Sequence, residues 1–310
     1  MPSLFDYLIK HTMPLAPKAL VKQIARRYVA GESVEEMLAV VRRLNDQGMM
    51  CTIDLLGEFV HTEAEARAAA KEYETILEAI HREKMDAGVS VKLTQMGLLL
   101  DKDLCVDIMR DLIFKAKELG VFVRIDMEDS GCTSDTIEIY LKLRRVFENV
   151  GIVLQAYLRR TLGDTRDILA ANAGNYRLCK GIYVEPRDIA FQDGEITNRN
   201  FILVLKHMMK NNAYVGIATH DERLVWEAQR LIDQHKVKRE DYEFQMLLGV
   251  DEELRDIILA SGHRLRVYVP YGAQWYAYCV RRLKENPKIA RYVIQHLWRS
   301  LVDRVANRRQ

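Results

Sequence analysis

The amino-acid sequence predicts an α/β fold, a (β/α)8 barrel preceded by added helices, and three observations predict it. Eight short runs rich in β-branched and apolar residues alternate with longer stretches of 3.6-residue apolar spacing. No Gly-x-Gly turn and no Gly-x-x-x-x-Gly-Lys loop occurs, so a doubly wound sheet would lack its nucleotide fingerprint. The 310 residues, 49% of them hydrophobic, contain no linker-like or low-complexity tract, which fits one barrel domain. Residues 51–310 are read as the barrel and residues 1–50 as an N-terminal helical segment.

The expected strands, in order, are 51–56, 89–94, 122–127, 151–156, 177–181, 214–219, 242–247 and 265–269. The helices between them carry start and stop marks. Thr62 and Glu65 make a capping box ahead of an alanine-rich helix, and Gly88 and Gly120 are expected to end helices just before strands. Ahead of the first strand, Ser33 and Glu36 make a second capping box, followed by an apolar stripe of Val34, Met37, Leu38, Val41 and Leu44.

Composition excludes several functions. The 46 Lys and Arg balance 44 Asp and Glu to a net charge of +2, mixed in sign along the chain, which argues against a nucleic-acid partner. No run approaches the roughly 18 apolar residues of a membrane span. Five cysteines without a Cys-x-x-Cys pair, and an N-terminus lacking a basic-then-apolar leader, fit free thiols in the cytoplasm. Eight histidines include neither His-x-His nor His-Glu-x-x-His, and no Gly-x-Ser-x-Gly turn supports a serine nucleophile, so neither a metal centre nor acyl transfer is expected. Residues 281–310 hold nine Lys and Arg against two acids at helical spacing, which reads either as a solvated helix face or as a contact with an anionic membrane surface.

Chemistry in a barrel belongs at the C-terminal ends of its strands, where the βα loops converge. Those ends are polar here: Lys92, Asp126 with Glu128, Gln155, Arg177 with Lys180, Thr219 with His220, Gln245 and Tyr268. Singly, each is more often a solvated loop residue, half of a closing ion pair or, for His220, a packed histidine than a functional group. Together they are difficult to explain as barrel filling, because interior layers are usually branched and apolar. After the last strand, a helix brings Tyr278, Arg281, Arg282 and Glu285 onto one face. That face is either exposed with local ion pairs or a paired-guanidinium clamp for a carboxylate.

Six segments then stand together: Val91-Lys92-Leu93, residues 126–130 (Asp-Met-Glu-Asp-Ser), 155–158 (Gln-Ala-Tyr-Leu), 177–183 (Arg-Leu-Cys-Lys-Gly-Ile-Tyr), 218–220 (Ala-Thr-His) and 281–286 (Arg-Arg-Leu-Lys-Glu-Asn). In their order along the chain they resemble the motifs of the proline dehydrogenase family. The resemblance implies a distorted barrel with bound FAD, oxidation of L-proline to 1-pyrroline-5-carboxylate with hydride passing to flavin N5, and electrons leaving to a membrane quinone. It implies that Lys92, Arg281 and Arg282 hold the proline carboxylate, with Asp126 balancing those cations. Arg177 would lie near flavin N5, and Met127, Gln155, Lys180, Gly181, Ile182, Thr219 and His220 would line the cofactor. Tyr268, Tyr278, Tyr183 and Leu247 would wall in the ring of the substrate. Ile182 departs from the smaller residue associated with its position, which puts the pocket shape in question. Two other readings stay open from the residues themselves: a Schiff-base barrel using Lys92 or Lys180, and an amino-acid-binding barrel without turnover.

Overall fold

A computed structural model describes residues 27–57, 59–276 and 278. Eight parallel strands close into a barrel in sequence order: β1 (Met50–Leu55), β2 (Ala87–Val91), β3 (Val123–Ile125), β4 (Val150–Gln155), β5 (Asn175–Cys179), β6 (Tyr214–Ala218), β7 (Tyr242–Leu247) and β8 (Leu265–Tyr271). β8 closes against β1 along the whole of that strand, from Met50 beside Arg266 to Leu55 beside Tyr271. Helices α1 (Val34–Asp46), α2 (Glu63–Arg82), α3 (Lys102–Glu118), α4 (Ser130–Arg144), α5 (Thr161–Ala170), α6 (Gly194–Lys210), α7 (Glu222–His235) and α8 (Glu252–Ala260) surround it.

Both expected capping boxes are formed. The Ser33 and Thr62 hydroxyls accept from the backbone N–H of Glu36 and Glu65, whose carboxylates accept from the cap N–H groups in return. Gly88 behaves differently from expectation. It lies inside β2, and a Cβ there would sit 2.7 Å from the Phe122 carbonyl oxygen. Its need is for close approach of the chain entering β3, while the turn out of α2 passes through Lys84 at φ 51°. Gly120, at φ 68°, does end α3 in the left-handed conformation that glycine adopts most readily.

α1 places Met37, Leu38, Val41 and Leu44 against β1 and β8, within the same core as the other helices. The stretch before it is tied over the end of β8 by Ala30 N–H to Pro270 O and Gly272 N–H to Gly31 O.

The hydrophobic core is the annulus between strands and helices. Alternate strand residues point outward into it, among them Ile53, Val91, Ile125, Ile152, Leu178, Ile217, Phe244 and Val267, all buried. The other set points inward, and there the expectation of apolar layers is overturned. Side chains from strands that are not neighbours meet across the interior, as Arg177 of β5 does with Ser90 of β2. These inward residues include Asp54, Ser90, Arg124, Gln155, Arg177, Glu243 and Gln245, all at least nine-tenths buried. Polar groups therefore run through the depth of the barrel, not only at its C-terminal rim, and stay tolerable because they pair with one another or, as Arg124 and Gln155 do, donate to backbone carbonyls.

Candidate active site

Asp126 follows β3 and gathers four partners. Its Oδ1 accepts from Ser90 Oγ at 2.6 Å and from Arg177 Nη1 at 2.9 Å. Its Oδ2 accepts from the Tyr268 hydroxyl at 2.9 Å and lies 3.5 Å from Lys92 Nζ. Burial works against the charge of this carboxyl, yet Lys92, Arg177 and the Ser90 and Tyr268 hydrogen bonds outweigh it and hold Asp126 below the usual carboxylate range. Lys92 also donates to Asp54 Oδ1 at 2.5 Å. Burial alone would pull the ammonium down; the negative surroundings, led by Asp54, hold it well above its ordinary value. A Schiff-base lysine needs the opposite shift, so the Lys92 version of that reading loses its physical basis.

Arg177 links this group to β7. Nη1 donates to Asp126 and Ser90, Nε donates to Gln245 Oε1 at 2.5 Å, and the guanidinium carbon lies 5.2 Å from the centre of the Tyr268 ring. Burial together with the nearby Asp126 and Asp54 pushes the Tyr268 hydroxyl well up, which keeps it a neutral donor.

On the adjoining strand ends β4 to β6, Gln155 donates to the carbonyls of Met127 and Glu128 at 3.0 and 3.3 Å, while its own buried Oε1 has no hydrogen-bond partner. Lys180 pairs with Asp221, the N-cap of α7, at 2.8 Å. Gly181 sits at φ 106°, where a Cβ would strike the Tyr157 ring at 2.1 Å, so only glycine lets the chain cross that ring. Thr219 accepts from Asp221 N–H, and His220 Nε2 accepts from Leu247 N–H at 3.1 Å, linking the ends of β6 and β7. Ile182 is exposed. Tyr278 packs with Val29 and Leu56, and Tyr183 packs in a separate cluster with Tyr157, Leu158 and Ala190. Arg281 and Arg282 lie outside the described residues, as does the basic tail.

The expected residues Lys92, Asp126, Arg177 and Tyr268 thus form one group joined by hydrogen bonds and ion pairs. Asp54 and Ser90, which sequence reasoning missed, complete it. The available signal was parity: in Cys-Thr-Ile-Asp-Leu-Leu an acid falls on the inward set, as Ser90 does two residues before Lys92.

Residues 37–295 match the family model for proline dehydrogenase. This chain belongs to the proline dehydrogenase family. It is 38% identical over 300 residues to proline dehydrogenase of Deinococcus radiodurans, covering 92% of this chain and 96% of that one. It is 37% identical over 271 residues to proline dehydrogenase 1 of Bacillus subtilis subsp. natto, covering 87% and 89%. Proline utilization A from Bdellovibrio bacteriovorus, a structure inactivated by N-propargylglycine, superposes with a TM-score of 0.81 at 27% identity over 86% of this chain and 33% of that one. The chain therefore spans about a third of that longer protein. As a member of this family it is an oxidoreductase.

The residues present fit a flavin. A buried, unpartnered Gln155 oxygen, the Lys180 donor and the glycine-only crossing at Gly181 lie at the ends of the adjacent strands β4 and β5, and the Arg177 cation lies within β5.

Proposed function

We propose that the protein is an FAD-dependent proline dehydrogenase that oxidises L-proline to 1-pyrroline-5-carboxylate in proline catabolism and passes the electrons to a membrane quinone. The observation that carries this reading is the Lys92–Asp126–Arg177–Tyr268 group at the C-terminal end of the barrel. FAD, when bound, supplies the hydride acceptor.

The chain's own residues do the rest. Lys92, held charged by Asp54 and Asp126, supplies a fixed cation for the substrate carboxylate, joined in the proposal by Arg281 and Arg282. Asp126 keeps Lys92 and Arg177 from repelling each other. The Arg177 charge beside the cofactor favours its reduced form, and Gln155, Lys180, Gly181 and Thr219 help to seat it, with Met127, Ile182 and His220 lining the same region. Tyr268, Leu247 and Tyr278 exclude water from the ring of the substrate and hold it at a set distance.

The test is the visible spectrum of the purified protein before and after anaerobic addition of L-proline. A flavin spectrum bleached by proline is expected. A colourless protein that cannot be reconstituted with FAD would overturn the reading, and a flavin indifferent to proline would redirect it to other secondary amines. The proposal places the enzyme in the cytoplasm, with the basic residues 281–310 as its contact with the inner membrane surface. Co-sedimentation with anionic, quinone-containing vesicles is the expected result.

A further inference from the structure

Below the site, β7 contributes two inward residues for which the proposed reaction has so far given no task. Glu243 Oε1 accepts from Arg266 Nε at 2.7 Å and from Gln245 Nε2 at 2.6 Å. Gln245 Oε1 in turn accepts from Arg177 Nε at 2.5 Å. We propose that Glu243 and Gln245 form a positioning relay for Arg177, in which Glu243 sets the orientation of the Gln245 amide and the amide oxygen fixes the plane of the guanidinium.

Three observations carry it. First, an amide has one accepting and one donating end, and a carboxylate and a guanidinium admit only one way round. The oxygen of Glu243 that meets Gln245 also receives Arg266, so it is an acceptor and Gln245 must show it the NH2 group. The carbonyl end is left for Arg177. Second, Arg177 is held by Asp126 and Ser90 at Nη1 alone, a contact about which the guanidinium plane can turn; the bond at Nε removes that freedom. Third, β6 leaves room for the relay. Gly216 pairs with Glu243 in register and has ordinary strand backbone, yet a Cβ there would lie 2.3 Å from Gln245 Nε2. The glycine serves the amide of its neighbour rather than its own backbone.

Glu243 and Gln245 are positioning residues, acting through Arg177. A second cation, Arg266, is paired with Glu243 on the far side of the Gln245 amide from Arg177.

This inference rests on the flavin reading above, and the experiment separates the two. Gln245→Met removes the acceptor while keeping the volume. Gly216→Ala adds no charge and no hydrogen-bonding group but displaces the amide. Each flavin-loaded variant is titrated reductively without proline for its midpoint potential, and is then assayed for kcat and KM with proline. Both variants are expected to lose about tenfold in the preference for reduced over oxidised flavin, a shift of about 30 mV to more negative potential. Each kcat is expected to fall about tenfold with KM for proline nearly unchanged. Wild-type potential and kcat in both flavin-loaded variants, whatever their melting temperatures, would overturn the relay. If Gln245→Met did not hold flavin, Gly216→Ala would decide alone; if neither held it, the pair would be a folding element and the proposal would fall. A wild-type protein whose flavin proline does not bleach would instead sink the functional reading, while the potentials would still decide the relay.

Discussion

At the residue scale the centre of the molecule is Asp126, which accepts from Ser90, Arg177 and Tyr268 and faces Lys92. Removing one member of a buried, paired set costs more than the set itself contributes, because the partners keep their charge without compensation. Asp126→Asn is therefore expected to destabilise the fold by about 3 kcal/mol, measured as a fall in the urea midpoint at unchanged m-value. An unchanged midpoint would show that Asp54 and solvent suffice to balance Lys92 and Arg177. Lys92→Met addresses binding instead: it is expected to raise KM for proline by about tenfold, the size of one charge-assisted contact. A lowered kcat at constant KM would remove Lys92 from the carboxylate site. Much of this group was legible, since Lys92, Asp126, Arg177 and Tyr268 stand out as polar residues in apolar runs. Asp54 and Ser90 carry the same parity, but only the closing of β1 onto β2 shows that their side chains reach the others.

At the scale of elements, the helices obey local rules. Capping boxes at α1 and α2 were readable because every participant lies within four residues. Thr62→Ala is expected to cost about 1 kcal/mol of stability, read from thermal or chemical unfolding. Strand ends were less legible. β2 runs over Ala87–Val91 rather than 89–94, and β5 over Asn175–Cys179 rather than 177–181, because a strand ends where its neighbours stop offering hydrogen bonds. Gly88 shows the same limit: it resembled a helix terminator in sequence, whereas its constraint is the carbonyl of Phe122, 34 residues away along the chain. Gly88→Ala is expected to destabilise by about 2 kcal/mol, since backbone must give way to the added methyl. A neutral result in equilibrium unfolding would mean that the crossing relaxes easily.

At the scale of the whole molecule, an apolar annulus encloses a polar interior. The annulus provides the burial that keeps the barrel folded, and it also keeps the charged groups inside at low dielectric. The buried Cys51 and Cys105 thiols belong to the annulus, where burial pushes each up to about 12. The interior makes acid stability predictable in sign. Burial opposes the charge on Glu243, but Arg266 and the hydrogen bonds around it bring its pKa down to about 2, and Asp126 is lowered as well. Both bind fewer protons folded than unfolded, so their stabilisation is present above the ordinary carboxylate range near pH 4 and is lost as pH falls toward 2. Urea midpoints are expected to drop across that window, with a shallower drop in Glu243→Gln. A wild-type midpoint independent of pH there would contradict the pairing.

The sequence by itself determined the eightfold alternation, the capped helices, the family and most of the polar residues at the strand ends. These follow from spacing within a strand or a helix turn, where a few neighbouring residues settle the outcome. Only the tertiary structure decided what the inward residues do. Closing the barrel brings Asp54, Ser90, Lys92, Asp126, Arg177, Glu243 and Gln245 from five segments, spread over about 190 residues, into one set joined by hydrogen bonds and ion pairs. A charge in a strand acquires its partner, and hence its protonation and orientation, from the opposite wall of the barrel, and the separation of residues along the chain carries no record of that distance.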